Sequence, residues 1–281
     1  MNPKEDDAAL KALVARGVRI PPQPRVLLEL EKLLGRSKFD VRALGKVISQ
    51  DPGIVAMLFK AVRSPVYGGG KDLDSVDKVL MVIGLRQTLT LVQAMAIANA
   101  VSDTARPIYE NFWTRSFDIA RFASLIAVDR VSVCNIFPEQ AFLVGTFHEC
   151  GVPILMQRFP DYCATLDVEQ ACQSANLDEE NARLNVDHCV IGYLVARHWK
   201  LPDFICEAIR DHHEMLIEET GAVSSVLAIL QLARHFYHLL NDLDHPSWSR
   251  LRDPVMTELG LAFENDSDYF EVIAERFHTG R

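Results

Sequence analysis

The chain has 281 residues, 49% of them hydrophobic, which is enough for a sizeable core. Its 29 basic and 38 acidic residues leave a net charge of -9, so it offers no electrostatic footprint for a nucleic-acid backbone or an anionic membrane surface. The six cysteines, Cys134, Cys150, Cys163, Cys172, Cys189 and Cys206, form no C-x-x-C pair, and the polar start Met-Asn-Pro-Lys-Glu-Asp-Asp lacks the parts of a signal peptide; reduced thiols and a cytoplasmic location are expected.

Apolar residues at a period near 3.6 recur between Pro, Gly and Asp, and strand-like alternation is scarce, so the predicted class is all-α. A first helix, about Asp6 to Arg16, ends at Gly17, and Ile20-Pro-Pro-Gln-Pro24 must be extended. Leu27, Leu30, Leu33 and Leu34 mark a second helix closed by Gly35. Asp40 caps a helix through Ile48, Asp51-Pro52 restarts one, and Tyr67-Gly-Gly-Gly70 is a turn. Asp74 or Ser75 opens the next helix and Gly84 breaks it. Leu85 to about Val101 is too short and too interrupted, by Gln93 and Asn99, to span a membrane.

After Pro107 a long helix carries Phe112, Trp113, Phe117, Ala120 and Leu125 toward Asp129. Pro138 starts the next helix, Pro153 lies early in its successor, and Pro160-Asp161 begins another. Asp187 to Trp199 is helical, Leu201-Pro202 starts a helix ending near His212-His213, and Gly221 precedes one from Ala222 to Leu240. Pro246 and Pro254 punctuate a tail of one or two short helices. The best candidate boundary is Ser102 to Pro107.

Within Ala141 to Met156, His148 and Glu149 are two ionisable side chains in an almost wholly apolar run, where charge demands a partner or a metal. Asp187-His188 and His212-His213 are two further ligand clusters at helix ends. A histidine among apolar residues is most often a satisfied core residue, and three clusters together weaken that reading.

Ile20-Pro-Pro-Gln-Pro-Arg-Val, Ile48-Ser-Gln-Asp-Pro-Gly, Val66-Tyr-Gly, Val82-Ile-Gly-Leu, Phe112-Trp-x-x-Ser116, His148-Glu-x-Gly151, Asp187-His188, His198-Trp-x-Leu-Pro202 and His212-His213 follow one another with spacings that resemble the HDOD family, a branch of the HD-domain superfamily. The resemblance covers about residues 18–215. It implies an HD-domain-like helical bundle with an additional N-terminal helical lobe: an N-terminal helix over 1–17, an HDOD domain over 18–215 with its lobe at 18–103 and its HD-like core from about 107, and C-terminal helices over 216–281. It also implies a signalling output module of bacterial type, whose ancestor held a metal for phosphohydrolysis through histidines and aspartates.

By that resemblance the first ligand position falls on Arg115, the doublet is His148-Glu149 in place of His-Asp, and the distal aspartate falls on Arg234. Arginine offers donors only and stays charged, so it cannot ligate a cation. The expected remnant pocket is therefore Arg115, His148, Glu149, Asp187, His188, His212, His213 and Arg234, with Glu149 paired to Arg115 and Arg234 in place of a metal, and with no cofactor. His148 becomes a hydrogen-bonded core residue. The expected function is a stand-alone, non-catalytic adaptor that contacts signalling proteins on other chains or senses a small ligand, with neither nucleic acid nor membrane as partner. The alternatives are a metal-dependent phosphohydrolase or phosphodiesterase using His148, Glu149, His188, His212 and His213, and nucleotide or anion binding through Arg115 and Arg234 without hydrolysis.

Overall fold

Local signals set most helix ends. In the computed structural model, residues 11–19, 25–35, 40–51, 54–55, 58–59, 62, 75–85, 88–93, 106–159, 162, 177–215, 221–261 and 266–279 are described, and among them no strand occurs. Helix α1 is Arg25–Leu34 and α2 is Val41–Ile48, the latter capped by the Asp40 carboxylate, which accepts from the Arg42 N–H at 3.0 Å. Helix α3, Val76–Ile83, is capped by the Ser75 hydroxyl on the Lys78 N–H at 3.2 Å and stopped by Gly84 at φ +87°. Asp51 likewise accepts from the Ile54 N–H at 3.0 Å.

The interior is organised on two long helices. Helix α4, Arg106–Cys134, packs against α5 (Pro138–Phe147), against α10 (Ala222–Leu240) and against α12 (Asp266–Thr279). From Phe122 to Ala127 every residue of α4 is buried, so this stretch is covered all round and shows no single apolar stripe. Along the chain from α5 to α10 come α6 (Gly151–Arg158), α7 (Leu177–Leu184), α8 (His188–His198) and α9 (Asp203–Arg210); α8 packs against α6 and α9, α9 packs against α5 and α10, and α11 (Trp248–Glu258) packs against α10. Buried apolar side chains from Leu13 to Phe277 form one continuous cluster.

The N-terminal segment is pinned to this body by polar contacts. The Arg16 guanidinium donates to the Asn185 carbonyl at 3.1 Å and to the Leu184 carbonyl, and Arg158 Nε donates to the Arg16 carbonyl at 2.9 Å. No helix of the described residues is long and apolar enough to cross a membrane.

Three elements differ from the sequence reading. Helix α4 continues past Asp129 to Cys134, because a left-handed Asn135, at φ 53°, supplies the stop. Pro254 lies inside α11 and does not break it; the missing N–H forgoes one bond, while Leu251, Val255 and Met256 bury the helix's inner face. Helix α7 is absent from the sequence reading, since Asp178-Glu-Glu-Asn181 carries almost no apolar periodicity. The segments 20–24, 63–65, 67–70, 94–105 and 160–161 lie outside the described residues, and with them the extended stretch, the glycine turn and most of the candidate boundary.

Candidate functional site

Two glycines build the site. Helices α4 and α5 are joined by residues 135–137 and fold back on each other, with Gly145 against the Ala120 backbone so closely that a Cβ there would sit 2.5 Å from the Ala120 Cα. Four residues onward from that crossing lies Glu149, and five residues back lies Arg115, so the crossing brings their side chains together. At the α5–α6 turn, a Cβ on Gly151 would fall 2.1 Å from the His188 carbonyl oxygen and 2.9 Å from the Gly192 nitrogen. The turn carrying His148 and Glu149 is thus seated on the first turn of α8, which carries His188 and Cys189.

Arg115 and Glu149 form a buried ion pair, with only 7% and 2% of their surfaces exposed. Burial alone would raise the Glu149 carboxyl, but Arg115 first, then His148, Arg234 and His188, outweigh it and hold this group well below the usual carboxylate range. Arg234, buried on α10, donates to the His212 carbonyl at 3.1 Å and to Gln231 Oε1 at 3.4 Å. Burial lowers the pKa of its guanidinium, and the nearby Glu149 carboxylate opposes that shift.

Four imidazoles converge beside this pair. His148 Nδ1 donates to the Gly145 carbonyl at 2.8 Å, and its buried Nε2 makes no hydrogen bond among the described residues. Burial pushes His148 down to about 4, with the adjacent Glu149 opposing. His212 Nδ1 donates to the Ile209 carbonyl at 2.7 Å, and its carbonyl is held from α10 by Gln231 Nε2 at 2.6 Å. His188 Nδ1 lies 2.7 Å from Glu180 Oε2, which also accepts from the His188 backbone N–H at 2.9 Å. Tyr162 donates its hydroxyl to the other Glu180 oxygen.

His188 Nε2 then stands 3.0 Å from His213 Nε2 and 3.3 Å from His212 Nε2. Burial drives His212 and His213 down. For His188 burial acts the same way, but Cys189 and Glu180 overcome it and carry the imidazole up to about 10.

Of the residues expected in the pocket, Arg115, His148, Glu149, His188, His212, His213 and Arg234 gather at this point of the fold. Asp187 does not join them: its oxygens accept from the Val190 N–H and from Asn181 Nδ2, each at 2.9 Å, because it is the N-cap of α8. His148 is not fully satisfied as a core residue, since one nitrogen is left over.

Sequence reasoning missed Cys189, Glu180 and Gln231. The signal for Cys189 was its place next to His188. Glu180 could not be singled out, being one of three consecutive acidic residues of which it alone is buried.

The model of the HDOD domain family matches residues 20–215. A provisionally assigned phosphohydrolase from Shewanella amazonensis shares the fold at TM-score 0.68 and 21% identity, covering 92% of this chain and 92% of that one. A provisionally assigned signal transduction protein from Marinobacter aquaeolei does so at TM-score 0.67 and 20% identity, over 98% of this chain and 64% of its own. An uncharacterized Treponema pallidum protein is 23% identical over 222 residues, 77% of this chain and 42% of that protein. The chain spans less than half the length of the curated relatives it matches.

Proposed function

The chain belongs to the HDOD domain family, and on that footing we propose that it is a non-catalytic signal-transduction module acting through contacts with proteins on other chains. The observation that carries this reading is the buried Arg115–Glu149 ion pair, standing where the family resemblance implies metal ligands. Phosphohydrolysis by an HD-type site needs an ion that lowers the pKa of bound water and neutralises the phosphate, held by lone pairs from imidazoles and carboxylates. Arg115 and Arg234 instead bring two donor-only cations, and the Glu149 carboxylate is already engaged by Arg115. The residues at those positions do not fit the ion, and no hydrolytic step runs through it.

The Marinobacter aquaeolei relative, assigned to signal transduction, supports the same direction. The test is hydrolysis of bis(p-nitrophenyl) phosphate by the full chain with manganese(II) or nickel(II). The expected result is no turnover above the metal-only control. Turnover that disappears in His148→Ala would establish the phosphodiesterase reading instead.

A further inference from the structure

We propose that the joint between α10 and α11, residues 241–247, is an acid-sensitive latch, closed while the histidines stacked across it are neutral and opened when they take up protons. The joint is built from rings. His245 lies face to face with His238 of α10, with centroids 4.7 Å apart and planes at 12°, and Trp248, the first residue of α11, stacks on His235 at 4.0 Å and 12°. His235, His238 and Trp248 are buried. The backbone reverses at a left-handed Asp242, φ 53°, and the Leu243 N–H donates back to the His238 carbonyl at 2.9 Å.

The joint holds α11 in place. From the first turn of that helix, the Arg250 guanidinium donates to the His213 carbonyl at 3.3 Å and to the Glu214 carboxylate at 2.7 Å. From α10, Gln231 Nε2 donates to the carbonyls of His212 and Glu214, at 2.6 Å and 3.4 Å. The 212–214 turn is therefore gripped by α10 and α11 together, and opening the joint withdraws Arg250 from it.

Neutral imidazoles stack readily, whereas two imidazolium rings in face contact repel each other. The buried Nδ1 of His245 makes no hydrogen bond among the described residues, so a proton added there finds no acceptor among them. Arg234, His235 and His238 face His245 from α10 and disfavour the added proton; Asp242 and Asp244 on the joint are exposed to solvent, and Arg250 on α11 is turned to Glu214. Burial first, then Arg234, His238 and His235, push the His245 imidazole from its ordinary 6.5 down to about 3. In the opened joint, with water around it, the ring returns to about 6.5. The stability of the closed joint is thus fully present above about 6.5 and is lost as pH falls from there toward about 3. Between about pH 7.5 and about pH 5.5, one such histidine favours the opened form by about tenfold.

This inference goes beyond the proposed function and does not depend on it. The test is hydrogen-exchange mass spectrometry of the full chain at about pH 7.5 and about pH 5.5, each rate divided by that of an unprotected amide at the same pH. Protection across residues 241–248 is expected to fall by at least about tenfold on acidification, with the buried stretch 122–127 of α4 exchanging more slowly than the joint at both pH values. His245→Phe keeps a ring in the stack but takes up no proton, so its loss of protection should be about tenfold smaller than the parent's. No loss in the parent, an equal loss in the parent and in His245→Phe, or a joint that exchanges only together with 122–127 overturns the inference. Proton NMR of the histidine rings in the parent chain gives a second reading that needs no variant: His245 is expected to stay neutral at about pH 5.5, and a His245 that titrates near 6.5 in the folded chain overturns the inference as well.

Discussion

Glu149→Ala is expected to lower the thermal unfolding midpoint by about 10 °C. The carboxylate it removes is buried against Arg115, close enough to Arg234 to be felt by that guanidinium, and enclosed by elements that leave little room for water. Removing one partner of a buried pair strands the other's charge, at roughly 3 to 5 kcal/mol. In domains of this size each kcal/mol moves the midpoint by about 2–4 °C. Differential scanning calorimetry of the two proteins in one buffer reads the shift directly. A Glu149→Ala midpoint within about 2 °C of the parent would show that the guanidinium groups find other compensation.

Gly151→Ala is expected to cost at least about 3 kcal/mol, at the upper end of ordinary overpacking, and to reduce the soluble yield sharply. The clash differs in kind from most, because the atoms in the way are backbone. The added methyl would meet the His188 carbonyl carbon at 2.8 Å as well as its oxygen at 2.1 Å. No rotamer change relieves that. Either α6 withdraws from α8, separating Glu149 from the imidazoles, or the start of α8 unwinds and the Asp187 cap is lost. Chemical denaturation of whatever folds measures the cost; a Gly151→Ala chain as stable as the parent would mean that the two helices are less closely seated than the geometry requires.

This glycine also shows how much of the site could be read from the sequence. The motif His148-Glu-x-Gly151 could be located, and Gly151 was legible as a helix break, but its closeness to α8 depends on a residue 37 positions away. The same divide runs through the fold. Helix ends marked by Asp40, Ser75, Gly84, Pro138 and Gly221 were legible because a cap, a stop or a proline acts on its own neighbours. Helix α7 was not, since it is held by a buried Glu180 and by contacts from Tyr162 and His188 that no local pattern reveals.

In the site, the Arg115–Glu149 pairing followed from the family resemblance and from the rule that a buried charge needs a counter-charge. The role of Asp187 did not: a carboxylate beside a histidine looks like a ligand, and only the direction of its hydrogen bonds marks it as a cap. Cys189 is one of six scattered thiols in the sequence, and only the approach of the His212-His213 turn brings further imidazoles to it.

A protein-made ion pair, Arg115–Glu149, occupies the position where the resemblance implies a metal ligand. It is tested most directly by a double-mutant cycle on thermal or chemical unfolding, with Glu149→Ala, Arg115→Ala and the two combined. The pair as described predicts a double variant at least as stable as the weaker single variant, with a coupling energy of about 2 kcal/mol or more, because the second substitution removes the charge stranded by the first. Strictly additive losses would contradict it.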